Sequence, residues 1–195
     1  MIKKVTCFIS TLSDGGAEHQ LSILANILSE KGYSVEIVTF VDFEDTYYIH
    51  QNIIRKKLAF GKNKFLKLFS IFKYFLFLKK ETVVISYLQR CNMLCLLPLF
   101  FRKHIKVIVG ERNLTTKSNL RETLLFKILY KRANFIVSNS FSQAKYISNK
   151  EPSLIPKIKT ITNYTDISHY NKQEKNVNNI IRFGIFCRYH KQKNY

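Results

Sequence analysis

Three groups of residues in this chain have the types and spacing to handle an anion. Gly15 and Gly16 lie in the run Thr11-Leu12-Ser13-Asp14-Gly15-Gly16-Ala17-Glu18. Two glycines let the backbone turn sharply and approach a ligand, and the first free N–H groups of a following helix point into the same space. Gly110-Glu111-Arg112-Asn113 sets polar residues at the end of an apolar run, and Arg188 and Lys193 bring cations from the far end of the chain. A helix N-terminus contributes only about 0.3–1 kcal/mol to an exposed charge, so the glycine loop needs that basic help. The bland readings stand beside these: a Gly-Gly pair that only turns the chain, and a loop with a chance ion pair. There is no third glycine for a dinucleotide fingerprint and no Gly-Lys-Ser/Thr for a P-loop.

The elements that must position these groups follow from hydrophobic period. Val5 to Ile9 reads as a buried strand, His19 to Glu30 as a helix with Leu21, Leu24, Ala25 and Leu28 on one face, and Val35 to Phe40 as a second strand. Gly32 stops the helix between them. This is a βαβ unit, which implies a parallel sheet. Asp42 to Arg55 reads as a loop with a short strand near Lys56 to Phe60, and Phe65 to Leu78 as a helix apolar around most of its circumference. Lysines at 62, 64, 67, 73, 79 and 80 lie in or beside that helix. It either covers the sheet with its lysine tips solvated or lies on an anionic membrane, where each basic residue contributes on the order of 1 kcal/mol.

Strands follow at Thr82 to Ile85, Lys106 to Val109, Phe135 to Val137 and Ile158 to Ile161, and helices at Asn92 to Phe101, Ser118 to Tyr130 and Ser142 to Ser148. The helix at 118–130 takes Ser118 as N-cap and sets Leu120, Leu124 and Ile128 on one face. Glu111 to Asn113 then lie at the C-terminal end of a parallel strand, the edge where ligands bind in open sheets. Residues 1–163 are expected to form one α/β domain, 164–179 a polar, Asn- and Lys-rich linker, and 180–195 the truncated start of a second domain.

The chain has 195 residues, and 32 Lys+Arg against 13 Asp+Glu give a formal charge of +19. That excess predicts anionic partners, or a solvated basic face. No nucleic-acid reader motif accompanies it, so no specific nucleic acid is expected. Cys7, Cys91, Cys95 and Cys187 lack zinc-type spacing and read as reduced thiols of a cytoplasmic protein. No signal-peptide core precedes the first strand. The longest uncharged apolar run, Met93 to Phe101, is interrupted by Pro98 and falls below the roughly 20 residues of a bilayer span.

Taken in order, these motifs resemble the N-terminal half of a glycosyltransferase of family 4, a retaining group with the GT-B fold of two facing Rossmann-like domains. The resemblance rests on Gly15-Gly16-Ala17-Glu18, Gly110-Glu111-Arg112-Asn113, Lys131-Arg132-Ala133-Asn134, Ser138-Asn139-Ser140 and Ile161-Thr162-Asn163-Tyr164-Thr165-Asp166. It closes on Arg188 and Lys193, where the family carries a glycine-arginine and a lysine-asparagine pair. It implies a Rossmann-like parallel sheet with helices on both faces. It also implies transfer of a sugar from a nucleotide diphosphate sugar to a hydroxyl, without metal or resident cofactor.

By the same resemblance Gly15, Gly16, Arg188 and Lys193 hold the donor diphosphate, Glu111 and Arg112 are catalytic, and Glu18 and Asn113 meet the acceptor. The expected partners are a nucleotide sugar, a lipid-linked or surface-polysaccharide acceptor, the inner face of the cell membrane and a separately encoded C-terminal half. Three departures stand out: the histidine that many relatives carry near Glu111-Arg112 is missing, though some read Glu-Arg-Asn; Cys187 replaces the usual glycine; and the family's Glu-x7-Glu donor motif is missing. Glu36 and Glu44 match that spacing as a decoy within the first domain. The expectation is therefore a chain inactive alone, or else a non-catalytic acceptor- or membrane-binding module.

Overall fold

The computed structural model describes residues 4–58, 63–113 and 119–165. A compact unit runs from Met1 to Tyr164, and all but Thr165 of the second stretch, Thr165–Tyr195, lies outside the described residues. Arg188, Lys193, Cys187, Asp166, the strand expected from Ile180 and nearly all of the expected linker therefore fall outside them, as do Ser118 and Lys62.

The elements are β1 (Lys4–Phe8), α1 (Gly16–Glu30), β2 (Ser34–Thr39), β3 (Ile54–Lys57), α2 (Lys64–Leu76), β4 (Thr82–Tyr87) and α3 (Gln89–Leu99). β5 (Lys106–Glu111), α4 (Leu120–Tyr130), β6 (Phe135–Ser138), α5 (Phe141–Lys150), a 3-10 turn at Pro152–Lys157 and β7 (Ile158–Thr160) complete it. The seven strands form one parallel sheet in the order β3-β2-β1-β4-β5-β6-β7. This is the α/β Rossmann-like architecture, with helices on both faces.

Alternation along the strands divides the core in two. Val5, Cys7, Val35, Ile37, Val83 and Ile85 face α1, with Leu21 and Ala25 closing over them. Phe8, Val38, Val84, Val107, Val109 and Ile136 face the other way, onto α2, α3, α4 and α5. Both faces of the central strands are buried, which is why they read as continuous β-branched runs.

The expected elements differ from the structure in four main places, the first being α1, which begins at Gly16, three residues before the expected His19. The third strand is Ile54–Lys57, earlier than 56–60, and all its residues are exposed at the sheet edge. Helix α3 begins at Gln89, three residues before the expected start. In α4 the core takes Phe126, Leu129 and Tyr130, while Leu120, Leu124 and Ile128 face solvent. Apolar residues surround that helix, so periodicity could not select its inner face.

The Lys131-Arg132-Ala133-Asn134 motif holds the fold together. The Arg132 guanidinium donates to the carbonyls of Leu99, Arg102 and Ile105, at 2.6–2.8 Å. The Asn134 side chain accepts the Val107 N–H at 2.8 Å, and Lys157 Nζ donates to the carbonyls of Lys131 and Ala133. These bonds tie the entry of β6 to the turn that precedes β5.

Candidate functional site

The strand order reverses between β1 and β4: the chain leaves β1 toward β2 and leaves β4 toward β5. A crevice opens at such a switch point, beyond the carboxyl ends of the two strands. A cavity of about 580 Å³ occupies this edge, lined by Ser10 after β1, Phe40 and Val41 after β2, Leu88, Gln89, Arg90, Cys91 and Met93 after β4, and Asn113 after β5, with Glu122 of α4.

The helices that start beside this crevice differ from the others in their caps. Asn63, Asn119 and Ser140 accept backbone N–H groups at the starts of α2, α4 and α5. Helices α1 and α3, which follow the switch-point strands, take Gly15 and Leu88 as N-caps, and among the described residues no side chain caps them. The first N–H groups of a helix have no partner within it, so these two ends keep donors open to a ligand. Leu88 holds φ at 76°, the left-handed region that a leucine rarely enters. Its N–H donates to the Gly110 carbonyl and its carbonyl accepts from Asn92, which fix the turn into α3.

The glycine loop is organised more tightly than its sequence suggests. The Gly15 N–H donates to the Tyr47 hydroxyl at 3.1 Å, and that hydroxyl donates to the Gly15 carbonyl at 3.1 Å. The Tyr47 ring stacks on His19 at 4.7 Å. Gly15 is extended, at φ −165°, and a Cβ there would collide with the Glu18 carboxylate, which folds back on the cap position. A Cβ on Gly16 would meet only open space. The open donors of α1 therefore belong to Gly16, Ala17 and Glu18.

Glu111 and Arg112, paired in the sequence reading, point to opposite faces of the sheet. Glu111 is 5% exposed and enters the side of α3 and α4, where it accepts from Asn92 at 2.9 Å and from the Tyr130 hydroxyl. Burial pushes its carboxyl up to about 7, against the lowering pull of those two donors and of Lys150. Burial likewise raises the Tyr130 phenol, and the neighbouring Glu111 adds to it.

Arg112 turns the other way, its guanidinium 4.1 Å from the centre of the Tyr87 ring. Its Nη1 donates to Asn163 at 2.9 Å, its carbonyl accepts from Asn139, and its buried Nε has no hydrogen-bond partner among the described residues. Gly110 makes room for this stack, since a Cβ there would lie 2.5 Å from the Tyr87 ring.

The segment at Asn163 joins these parts. Gln20 of α1 donates to the Tyr164 carbonyl at 2.6 Å and accepts the Tyr164 N–H at 2.9 Å. One short stretch thus holds both Arg112 and the first turns of α1, as the Ser138-Asn139-Ser140 turn holds Arg112 from behind. Asn113 lines the cavity, and its carbonyl accepts from Gln143 at 3.0 Å. Glu36 of the decoy pair is buried and paired with Lys4 at 2.8 Å and with Tyr74.

Sequence reasoning missed Tyr47, which lies in a loop without periodicity, and the Leu88–Cys91 turn, hidden by the late start given to α3. The polar Gln89-Arg90 pair directly after a buried strand was the available signal. Cys7, Cys91 and Cys95 are free and buried, with each thiol pushed up to about 12 by burial, which leaves them inert at neutral pH.

No protein-family model matches the chain, and no curated protein matches it in sequence. Solved structures do match it in fold. Anabaena HepE in complex with UDP and glucose aligns with a TM-score of 0.65 and 16% identity, over 86% of this chain and 46% of that one. HepE in complex with UDP-glucose gives 0.62 and 14%, over 86% and 45%. A UDP-N-acetylglucosamine 2-epimerase from Rickettsia bellii gives 0.57 and 13%, over 84% and 45%. The chain thus spans about half the length of these proteins, and what it shares with them is the fold: a GT-B-type, Rossmann-like half.

Proposed function

We propose that this chain is the acceptor-side half of a retaining glycosyltransferase of the family-4 kind, which moves a sugar from a nucleotide diphosphate sugar to a lipid-linked or surface-polysaccharide acceptor at the cytoplasmic face of the inner membrane. The observation that carries the proposal is the pair of uncapped helix starts, α1 and α3, at the switch point. HepE, bound to UDP and to UDP-glucose, supplies the ligand class by analogy of fold.

In this reading the diphosphate lies against the Gly16 end of α1, beside the Gly15 turn that Tyr47 holds. Arg188 and Lys193, from the segment after the domain, neutralise the nucleotide diphosphate as it departs. Cations fixed where charge develops lower the barrier to its departure without a metal. Arg112, with its Nε unspent, adds positive charge at the same edge. Glu18 and Asn113 meet the acceptor. Glu111, shut away with Asn92 and Tyr130, is a positioning residue that sets the end of β5. Sugar transfer belongs to the assembly of this half with a donor-binding half, on the same or on a separate polypeptide.

Calorimetric titration of UDP and UDP-glucose into the 195-residue chain tests the reading. Glu18→Gln removes a carboxylate that competes for the helix end and should tighten UDP about two- to five-fold. Arg112→Ala should weaken it about ten-fold. Absence of UDP binding, or affinities that ignore both variants, would overturn the assignment of this edge. An isomerised nucleotide sugar from the assembled halves, with no transfer, would overturn sugar transfer as the activity.

A further inference from the structure

The face of the sheet that α2, α3, α4 and α5 cover carries an apolar surface that its own fold does not use. Helix α2 turns Ile71 and Phe75 into the core and presents the opposite stripe, Phe65, Leu66, Phe69 and Phe77, to solvent at 83, 61, 66 and 73% exposure. Phe65, Phe69, Lys73 and Phe77 follow at intervals of four, with Leu66 beside Phe65 and Phe69, so they form one line along the helix and onto its C-cap. The line extends onto the end of α3, because the Arg102 guanidinium donates to the carbonyls of Leu76 and Leu78, on either side of Phe77. Phe101, one residue before Arg102, is 70% exposed.

Cations thread this stripe. Lys73 lies within it, Lys64 and Lys67 flank its start, and Lys79, Lys80 and Lys103 surround its end. The sequence contains no Asp or Glu between Asp45 and Glu81. Asp42, the carboxylate that approaches Lys67, is bound to Lys57 at 2.9 Å. A second copy of this chain seated on the stripe would set lysine against lysine with no carboxylate to pair them. An anionic lipid surface provides both an apolar layer for the phenylalanines and counter-charge for the lysines.

We propose that the outer face of α2, with the Phe101–Lys103 corner, is the surface by which this protein docks on a bilayer rich in anionic lipid. The proposal gives a place to the membrane in the functional reading above, and it rests on that reading only for its purpose. Vesicle binding and UDP binding are independent measurements, so either can fail alone.

Co-sedimentation with vesicles of phosphatidylcholine, with and without phosphatidylglycerol, tests it on the full chain. Binding should require phosphatidylglycerol and fall with added salt. Lys73→Gln and Lys80→Gln should each weaken it about five-fold. Phe69→Ser with Phe77→Ser should weaken it at least about ten-fold. Because these side chains are exposed, the variants should keep the parent's thermal midpoint and its UDP affinity. Equal binding to both vesicles, no binding to either, or binding that survives the phenylalanine pair would overturn the proposal. So would light scattering that shows a dimer abolished by Phe77→Ser, which would assign the stripe to a second copy.

Discussion

Glu111, expected at the site, is also a buried carboxyl on which stability depends. Neighbouring residues on a strand point to opposite faces, so Glu111 and Arg112 could not share one ligand-facing surface while both stayed in the strand's pleat. The carboxyl is raised from its usual range to about 7. The folded state therefore binds a proton that the unfolded chain releases near pH 4–5. Stability should be highest below the unfolded value, fall as pH rises to about 7, and then level off. The loss is on the order of 2–4 kcal/mol. Chemical denaturation at pH 5 and pH 8 should show it, and Glu111→Gln should flatten the dependence while keeping the bonds from Asn92 and Tyr130. An unchanged slope in the variant would assign the dependence elsewhere.

At the scale of elements, strands and helices were legible because their apolar runs are long and bounded, and the parallel sheet followed from their alternation. The sheet's C-terminal edge was legible as well, since Gly110 to Asn113 end a buried run. The inner face of α4 was not, because Leu120, Leu124, Leu125, Phe126, Ile128 and Leu129 leave no polar side to orient it. Nor was the duty of Arg132, which depends on carbonyls brought together only by folding. Arg132→Ala should leave those carbonyls without their charged donor and lower stability by about 3 kcal/mol. Lysine should rescue little, for it lacks the planar fork that reaches several acceptors. Gly110→Ala should push on the Tyr87 ring and displace Arg112, with a cost of about 1–3 kcal/mol and weaker UDP binding. A midpoint unchanged by this substitution would show that the ring moves freely.

The whole molecule carries an excess of cations that no motif explains. At +19 it sits in its own positive field, and anionic ligands should be drawn to it from a distance. Stopped-flow association of a fluorescent UDP analogue should slow several-fold as salt is raised to physiological strength, with a smaller change in dissociation. Equal salt effects on both rates would place the charge in the contact itself. Legibility at this scale was partial: the charge could be counted, but its arrangement beside the outward phenylalanines of α2 required the fold.

Leu88 gives the edge an evolutionary character. A left-handed backbone at a leucine costs about 1–2 kcal/mol. Glycine there would relieve that strain, so improved thermostability lies one substitution away. Retention of leucine, which packs between the two halves of the core, trades that gain for a rigid start to α3. Laboratory selection for heat resistance alone should therefore reach position 88 early, and the survivors should be more robust proteins with a looser cavity.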